Sequence, residues 1–412
     1  MRSEIQSLNE LCVVDRNITY GVVKPGPEDD NGVRFIRGGD IANGRIDETN
    51  LRTISPKVSQ QYRRTVLEGG ELLVSLVGNP GEVAIAPETL AGANIARQVG
   101  LVPLAPSVNS KFIMYFLRSG YGKSQLFTRT RGAVQQVINL ADLKTVGIPK
   151  LERRQQDEIV DVLSGYDDLI ENNKRRIQLL EESARLLYRE WFIHLRFPGH
   201  EHVKITHGVP EGWSRRRLVD VTSKIGSGAT PKGGASAYQS EGIALIRSQN
   251  VYDYRFDSSG LAFINDEQAD RLSNVEVNGS DVLLNITGAS VGRCCLAPDY
   301  HLPARVNQHV MIIRSDSEKF GPHYLLHFIN SYREKQRILA AAGAGGSTRE
   351  ALTKSFVQNL EVTLPSRTLM EQFEDFAKDC FEQKQKLEMQ NIRLAKARDL
   401  LLPKLMSGEL AA

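Results

Sequence analysis

Twice along this chain the apolar residues fall into a long, narrow stripe. Between Leu151 and Phe192, the positions Ile159, Leu163, Tyr166, Ile170, Asn173, Ile177, Leu180, Ala184, Leu187 and Trp191 succeed one another by alternating steps of four and three. That alternation averages 3.5 residues, the period that keeps a stripe on one side of a helix. The stretch holds no proline and one glycine, Gly165. It therefore predicts a single helix of roughly 60 Å at ~1.5 Å per residue. Between Leu369 and Met406, Phe373, Phe376, Cys380, Gln383, Leu387, Gln390, Leu394, Ala397 and Leu401 repeat the alternation. A stripe this narrow needs a second helix to cover it, and each stretch is the natural partner of the other. Asn173, Gln383 and Gln390 interrupt the stripes with polar side chains, which set register and partner at some cost in stability.

The pattern before each helix is different. Glu71–Val77, Gln98–Pro103, Asp281–Ile286 and Gln308–Ile313 are short apolar runs that read as buried strands, and Lys111–Arg118 and His323–Asn330 read as short amphipathic helices. These segments repeat. Ser7–Leu11 matches Arg217–Val221, Val33–Arg37 matches Ile243–Arg247, and Glu68–Leu73 matches Asn278–Leu283. Gly78 falls on Gly288, Ala86-Pro87 on Ala297-Pro298, and Gln98 on Gln308. Phe112–Leu117 matches Tyr324–Ile329, and Ile148-Pro149 matches Leu364-Pro365, each leading into its long helix. The order never breaks and the offset stays near 210 residues, so an internal repeat is expected. The organisation is α+β. Two mixed α/β domains, 1–150 and 197–365, alternate with long helices at 151–196 and 366–412.

Composition agrees with two or more globular domains. The chain has 412 residues, 41% hydrophobic and 25% charged. No apolar run approaches the ~20 residues that span a bilayer, and the start, MRSEIQSLNELCVVD, does not resemble a signal peptide. Four cysteines without a CxxC spacing, two of them adjacent as Cys294-Cys295, fit a reducing cytoplasm. The net charge of +3 is uneven: residues 1–150 hold 18 Lys and Arg against 14 Asp and Glu, while residues 151–196 hold 8 against 10. A mildly basic pair of globular domains is compatible with nucleic acid.

Catalytic patterns are missing. Gly226–Gly234 is glycine-rich but lacks the GxxxxGK[ST] spacing of a phosphate loop, and a polar surface loop is expected. His323 and His327 stand four apart without the glutamate of a zinc-protease helix, so a pair on a helix surface is expected. His200, His202 and His207 lie in the polar connector Pro198–Pro210, where no cysteine or paired acid makes a metal site, and none is expected. What the globular copies do carry is amide, hydroxyl and guanidinium groups beside glycine turns. In the first copy these are Arg37, Asn79, Arg97, Gln98, Thr130, Arg131, Gln135 and Gln136. In the second they are Arg247, Gln249, Asn250, Thr287, Arg293, Arg305, Asn307, Gln308, Ser347, Thr348 and Arg349. Arg pairs with guanine edges and Asn or Gln with adenine edges in the DNA major groove, while other members of such a set hold phosphates.

With these segments in view, the chain resembles a specificity subunit of a type I restriction–modification system. The resemblance covers essentially the whole chain. It is carried by Leu140–Pro149 (LADLKTVGIP) running into Gln156–Ile159, by Leu179–Phe192 (LLEESARLLYREWF), and by Arg398–Leu410 (RDLLLPKLMSGEL). It implies two target-recognition domains, each for one half of a split DNA target, and two helices packed antiparallel as a coiled-coil-like spacer. It implies a non-catalytic chain with no cofactor of its own. Two methyltransferase subunits that use S-adenosylmethionine, and restriction subunits that use ATP and Mg, would be its partners. A free-standing coiled-coil DNA-binding regulator or adaptor is the alternative reading. A nuclease is disfavoured by the missing acid–lysine cluster.

Overall fold

A computed structural model describes residues 4–128, 136–316, 318–343, 351–407 and 409, with the backbone alone at 130–131 and 407. The chain divides into two compact units, Met1–Asn172 with Gln390–Ala412, and Asn173–Met389.

In the first unit a four-stranded sheet runs in the order Thr19–Tyr20, Val99–Val102, Leu72–Ser75, Val83–Ile85, every pair antiparallel. Both faces of this sheet are covered, and the period of two shows how. Leu72, Val74 and Leu76 join Phe112, Phe116 and Leu117 of the helix Ser110–Arg118 in one cluster, whereas Leu73, Val99 and Leu101 join Ile36, Ile41 and Leu90 in another. That is why the central runs read as continuously apolar. A second sheet places Val33–Ile36 between Arg52–Ile54, antiparallel, and Asn94–Ile95, parallel. Ile5–Ser7 closes the domain by pairing with Gly147–Pro149, just before the long helix.

The second unit repeats this plan and adds one strand, Glu276–Val277, beside Ala304–Val306. Its four-stranded sheet has the order Thr222–Ser227, Val310–Ser315, Val282–Asn285, Cys294–Leu296. Ile243–Ile246 again pairs antiparallel on one side and parallel on the other, and Ser214–Arg217 closes against Glu361–Leu364. Cys294 and Cys295 point to opposite faces of their strand, into different clusters, and both are free thiols. One sequence match needs correction. Leu76 donates to the Gln98 carbonyl and Ile286 to the His309 carbonyl, so Gln98 is equivalent to His309, and Arg97 to Gln308. One extra residue in the turn after Gly288 raises the offset to 211, which the match of Ala86-Pro87 to Ala297-Pro298 already carries and that of Gln98 to Gln308 does not.

The first long helix is continuous over Arg153–Tyr188 and ends in one wider turn, Arg189–Ile193. All ten positions of its stripe are buried or half-buried. The second helix spans Arg367–Ser407, and its stripe differs from the hydropathy reading at alternate positions. Phe376 is 42% exposed, and Gln383 and Gln390 are exposed. The covered positions are Phe373, Ala377, Cys380, Lys384 and Leu387, followed by half-buried Asn391, Leu394, Ala397, Arg398 and Leu401. The physical reason is charge. In the second unit Lys384 Nζ lies 2.5 Å from Glu181 of the first helix, and in the first unit Arg398 pairs with Asp167. At Lys384 a cation that brings its own acid is buried in place of polar Gln383, and at Arg398 one is covered beside half-buried Ala397. Within each unit the two helices run antiparallel. Ile159 and Leu163 share a core with Leu402 and Leu405 while Asp167 meets Arg398, and Tyr188 meets Phe373 while Glu181 meets Lys384.

His323 and His327 are not on a helix surface; each is only 4% exposed. The His323 Nδ1 sits 2.8 Å from Glu374 Oε2, and the His327 ring stacks on Tyr188 with centroids 5.5 Å apart. An aromatic cluster of Tyr188, Phe192, Tyr324 and Phe373 packs around His327, and Phe381 lies edge-on to His323. The connector holds a small hairpin, Ile205–Thr206 with Val209–Pro210. Among the described residues no group of three His, Cys, Asp or Glu is placed to hold a metal, and no helix is long and apolar enough to cross a membrane.

Candidate nucleic-acid interface

In each domain three separate chain segments meet at one end of the four-stranded sheet. In the first, Leu76 donates to the Gln98 carbonyl, Ile138 donates to the Leu76 carbonyl, and Val77 bridges to Val137. In the second, Ile286 donates to the His309 carbonyl, Leu352 donates to the Ile286 carbonyl, and Thr287 bridges to Ala351. Most of the polar residues singled out by sequence collect on these segments. Asn79, Arg97, Gln98 and Gln136 are exposed there in the first domain. A groove of about 420 Å³ beside Arg97 is walled by Tyr20, Val77, Val137 and Asn139. Thr130 and Arg131 continue the strand pairing opposite Ile138 and Val137. Gln135, Ser347, Thr348 and Arg349 lie outside the described residues.

Other candidates have structural duties. The Arg37 guanidinium is held by Asp40, with Nε to Oδ2 at 3.2 Å and Nη2 to Oδ1 at 3.0 Å, which raises it above its ordinary value. Its equivalent Arg247 donates to the Gly260 carbonyl at 2.5 Å and lies over the Tyr238 ring. Gln249 donates to the same carbonyl at 3.2 Å. Asn250 is fully buried, accepting from the Arg247 amide and donating to the Asp257 carbonyl, so it shapes a turn and is closed to DNA. Arg305 is 7% exposed and donates to the carbonyls of Ala269 and Ala304. It occupies the place of Asn94 in the first domain and belongs to the core; the expectation that it touches a base is wrong. Asn307 is likewise buried and accepts from the His309 amide, fixing the turn that presents Gln308. Arg293 stacks on Tyr252, with 4.6 Å from guanidinium carbon to ring centroid. In all these cases composition shows a polar group near a turn, but only the fold shows which way it points.

Two residues that the sequence did not single out join the second domain's surface. Thr230, in the glycine-rich stretch, donates to Gln308 Oε1 at 2.6 Å. His309 lies between Gln308 Nε2, at 3.0 Å, and Thr287 Oγ1, at 2.6 Å. The glycines before Thr230 have a backbone reason and no phosphate role. A Cβ on Gly228 would stand 2.0 Å from the Val306 carbonyl oxygen, and one on the equivalent Gly21 would stand 1.8 Å from that of Ile95. Both glycines let the chain lie directly against the parallel strand pair. The two stand 207 residues apart, off the offset near 210, so the repeat read from identities does not pair them.

Comparison with known proteins follows the same division of the chain. The family model described as "Type I restriction modification DNA specificity domain" matches residues 3–182 and again 210–385. The type I restriction enzyme MjaIX specificity subunit of Methanocaldococcus jannaschii is 27% identical over 368 residues, covering 87% of this chain and 82% of that one. The EcoBI specificity subunit of Escherichia coli is 33% identical over 168 residues, 40% of this chain and 35% of that one. A crystal structure of the type I restriction–modification S subunit from M. genitalium superposes with a TM-score of 0.58 at 15% identity, covering 98% of this chain and 95% of that one, which shows a shared fold.

Proposed function

Because the chain belongs to the type I restriction–modification DNA specificity family, we propose that its two recognition domains read the two halves of a split DNA target through the loop ends described above. It is a non-catalytic specificity subunit that binds DNA and works within a restriction–modification complex. The two long helices space the readers and carry two methyltransferase subunits. S-adenosylmethionine is used there, and ATP and Mg in the restriction subunits, all in the cytoplasm. The observation that carries the reading is the repeat itself. Equivalent segments meet at equivalent sheet ends, yet the side chains presented differ, with exposed Arg97 and Gln98 in one copy and exposed Gln308 and half-buried His309 in the other. One frame with two different surfaces suits two different half-sites.

The test has two arms. Mapping methylated sites in DNA treated with the chain plus its co-purifying subunits should give an asymmetric, interrupted target, and the chain alone should methylate nothing. Inserting seven residues into each helix, after Asn172 and after Met389, keeps both stripes in phase. It lengthens each helix by about 10 Å, close to three base pairs at ~3.4 Å each. The gap should widen with both half-sites unchanged. A complex that stays assembled and reads the original gap would show that the helices do not set the distance. Absence of any methyltransferase among co-purifying proteins would favour a free-standing DNA-binding regulator.

A further inference from the structure

We propose that Gln308 reads an adenine in the half-site of the second domain, and that Thr230 and His309 are positioning residues that fix which way its amide faces. The inference rests on the DNA-reading function above and adds a base, its reader and the groups that aim it.

A primary amide has two N–H donors and two acceptor lone pairs. Gln308 is exposed, but one of each is already engaged. Its Oε1 accepts from the Thr230 hydroxyl at 2.6 Å, and its Nε2 donates to His309 Nε2 at 3.0 Å. With Nε2 accepting, the imidazole proton sits on Nδ1 and is donated to Thr287 Oγ1 at 2.6 Å. The hydrogen bonds thus run one way, from Thr230 through Gln308 and His309 to Thr287. Turning the amide over would require every donor in that series to reverse. In either direction the series leaves one N–H and one lone pair of Gln308 open to solvent.

That remaining pair matches one base. In the major groove adenine offers an acceptor at N7 beside a donor at N6, whereas guanine offers two acceptors, N7 and O6. A gripped amide meets adenine with both of its open groups, and against guanine it sets oxygen against oxygen. The grip is built on fixed backbone. Gly228 donates to the Val310 carbonyl at 2.9 Å and Ala229 to that of Val306 at 3.1 Å, which holds the loop that carries Thr230. Thr287 is held by its bridge to Ala351, and the His309 carbonyl accepts from Ile286. The amide is therefore oriented before DNA arrives, which lowers the ordering cost of binding. In the first domain the equivalent positions are Arg97 and Gln98, with Val77 in the place of Thr287. No hydroxyl–amide–imidazole series is possible there, so the device belongs to one half-site only.

The experiment is selection of duplexes from a randomised library by the full chain with its co-purifying subunits, followed by sequencing of the bound fraction. The wild type should enrich an A·T pair, fivefold or more, at one position that Gln308→Ala then releases; a lost bidentate base contact is worth about 1–3 kcal/mol, or roughly fivefold to 150-fold. Every other position, and the whole of the other half-site, should keep its preference, which also shows that the variant is folded. Thr230→Val and His309→Phe should each lower the preference for adenine over guanine at that position by threefold or more. Thr230→Ser, which keeps the hydroxyl, should restore it. The inference is overturned if the released position is not adenine, or if Thr230→Val and His309→Phe leave the adenine-to-guanine ratio unchanged. It is equally overturned if Gln308→Ala weakens all duplexes alike, the mark of a phosphate contact. Those three results leave DNA reading by the two domains intact. Failure of the wild-type complex to enrich any sequence would overturn that reading, and this inference with it.

Discussion

Lys384→Met should destabilise the second unit by about 3–5 kcal/mol, the cost of removing one member of a buried ion pair. Lys384 is only 5% exposed, and its ammonium is shared by three groups: Glu181 Oε1 at 2.5 Å, the Tyr254 carbonyl at 2.6 Å and Glu388 Oε1 at 3.9 Å. Methionine fills similar space but supplies no donor. It leaves Glu181 and Glu388 without their shared ammonium and a carbonyl without a partner. Burial already raises the Glu388 carboxyl above its usual range, so this acid is poorly solvated even with the lysine present. Both tryptophans of the chain, Trp191 and Trp213, pack against the second unit's core, so tryptophan fluorescence during urea unfolding reports this unit. The midpoint should fall sharply in Lys384→Met and recover in part when Glu181→Gln is added, because the double change leaves only Glu388 without the lysine. A shift below about 1 kcal/mol in the single variant would mean that water already solvates the pair.

That lysine also marks where the sequence stopped being legible. The two long helices, the sheet runs and the repeat could be read because each leaves a periodic trace in hydropathy. All ten positions of the first helix's stripe are buried or half-buried. The stripe of the second is displaced at Phe376, Gln383 and Gln390, and at Gln383 the reason is that hydropathy cannot distinguish a lysine bound to an acid on another element from one in water. The paired histidines failed for the same reason: His323 and His327 are buried by a Glu374 contact and an aromatic cluster that no local pattern announces. On the recognition surface, Arg97, Gln98 and Gln308 were legible as polar residues at turns and are exposed. Arg305 and Asn250 carry the same chemistry at similar turns and point inward. The side a residue faces near a turn depends on strand register, and register shifts with one inserted residue. His309 escaped notice because it reads as a strand residue and because the repeat was aligned one position out.

Lowering the pH from 7 to 5 should cost the second unit about 2 kcal/mol through one side chain, His327. Burial, with the neighbouring His323 and Arg185 adding to it, pushes this imidazole down from 6.5 to about 3. Its ring is enclosed by Tyr188, Tyr254 and Phe373. It borders a cavity of about 40 Å³ that Glu181, Cys380 and Lys384 also line. His327 Nδ1 and His323 Nε2 have no hydrogen-bond partner within the protein. The direction of the effect follows from linkage. The native state keeps His327 neutral, whereas the unfolded chain takes up a proton below 6.5, so the unfolded state binds more protons throughout the interval between the two values. Stability from this group is complete above about pH 6.5 and is lost steadily as pH falls toward 3. At about 1.4 kcal/mol per unit the full interval is worth roughly 5 kcal/mol. His327→Phe keeps an aromatic ring against Tyr188 and cannot be protonated. Whatever it costs at pH 7 through altered packing, the gap between variant and wild type should move in the variant's favour by about 2 kcal/mol by pH 5. The measurement is tryptophan-detected urea unfolding of both proteins at pH 7, 6 and 5. Parallel stability curves across that range would show that His327 carries no proton-linked share of the stability.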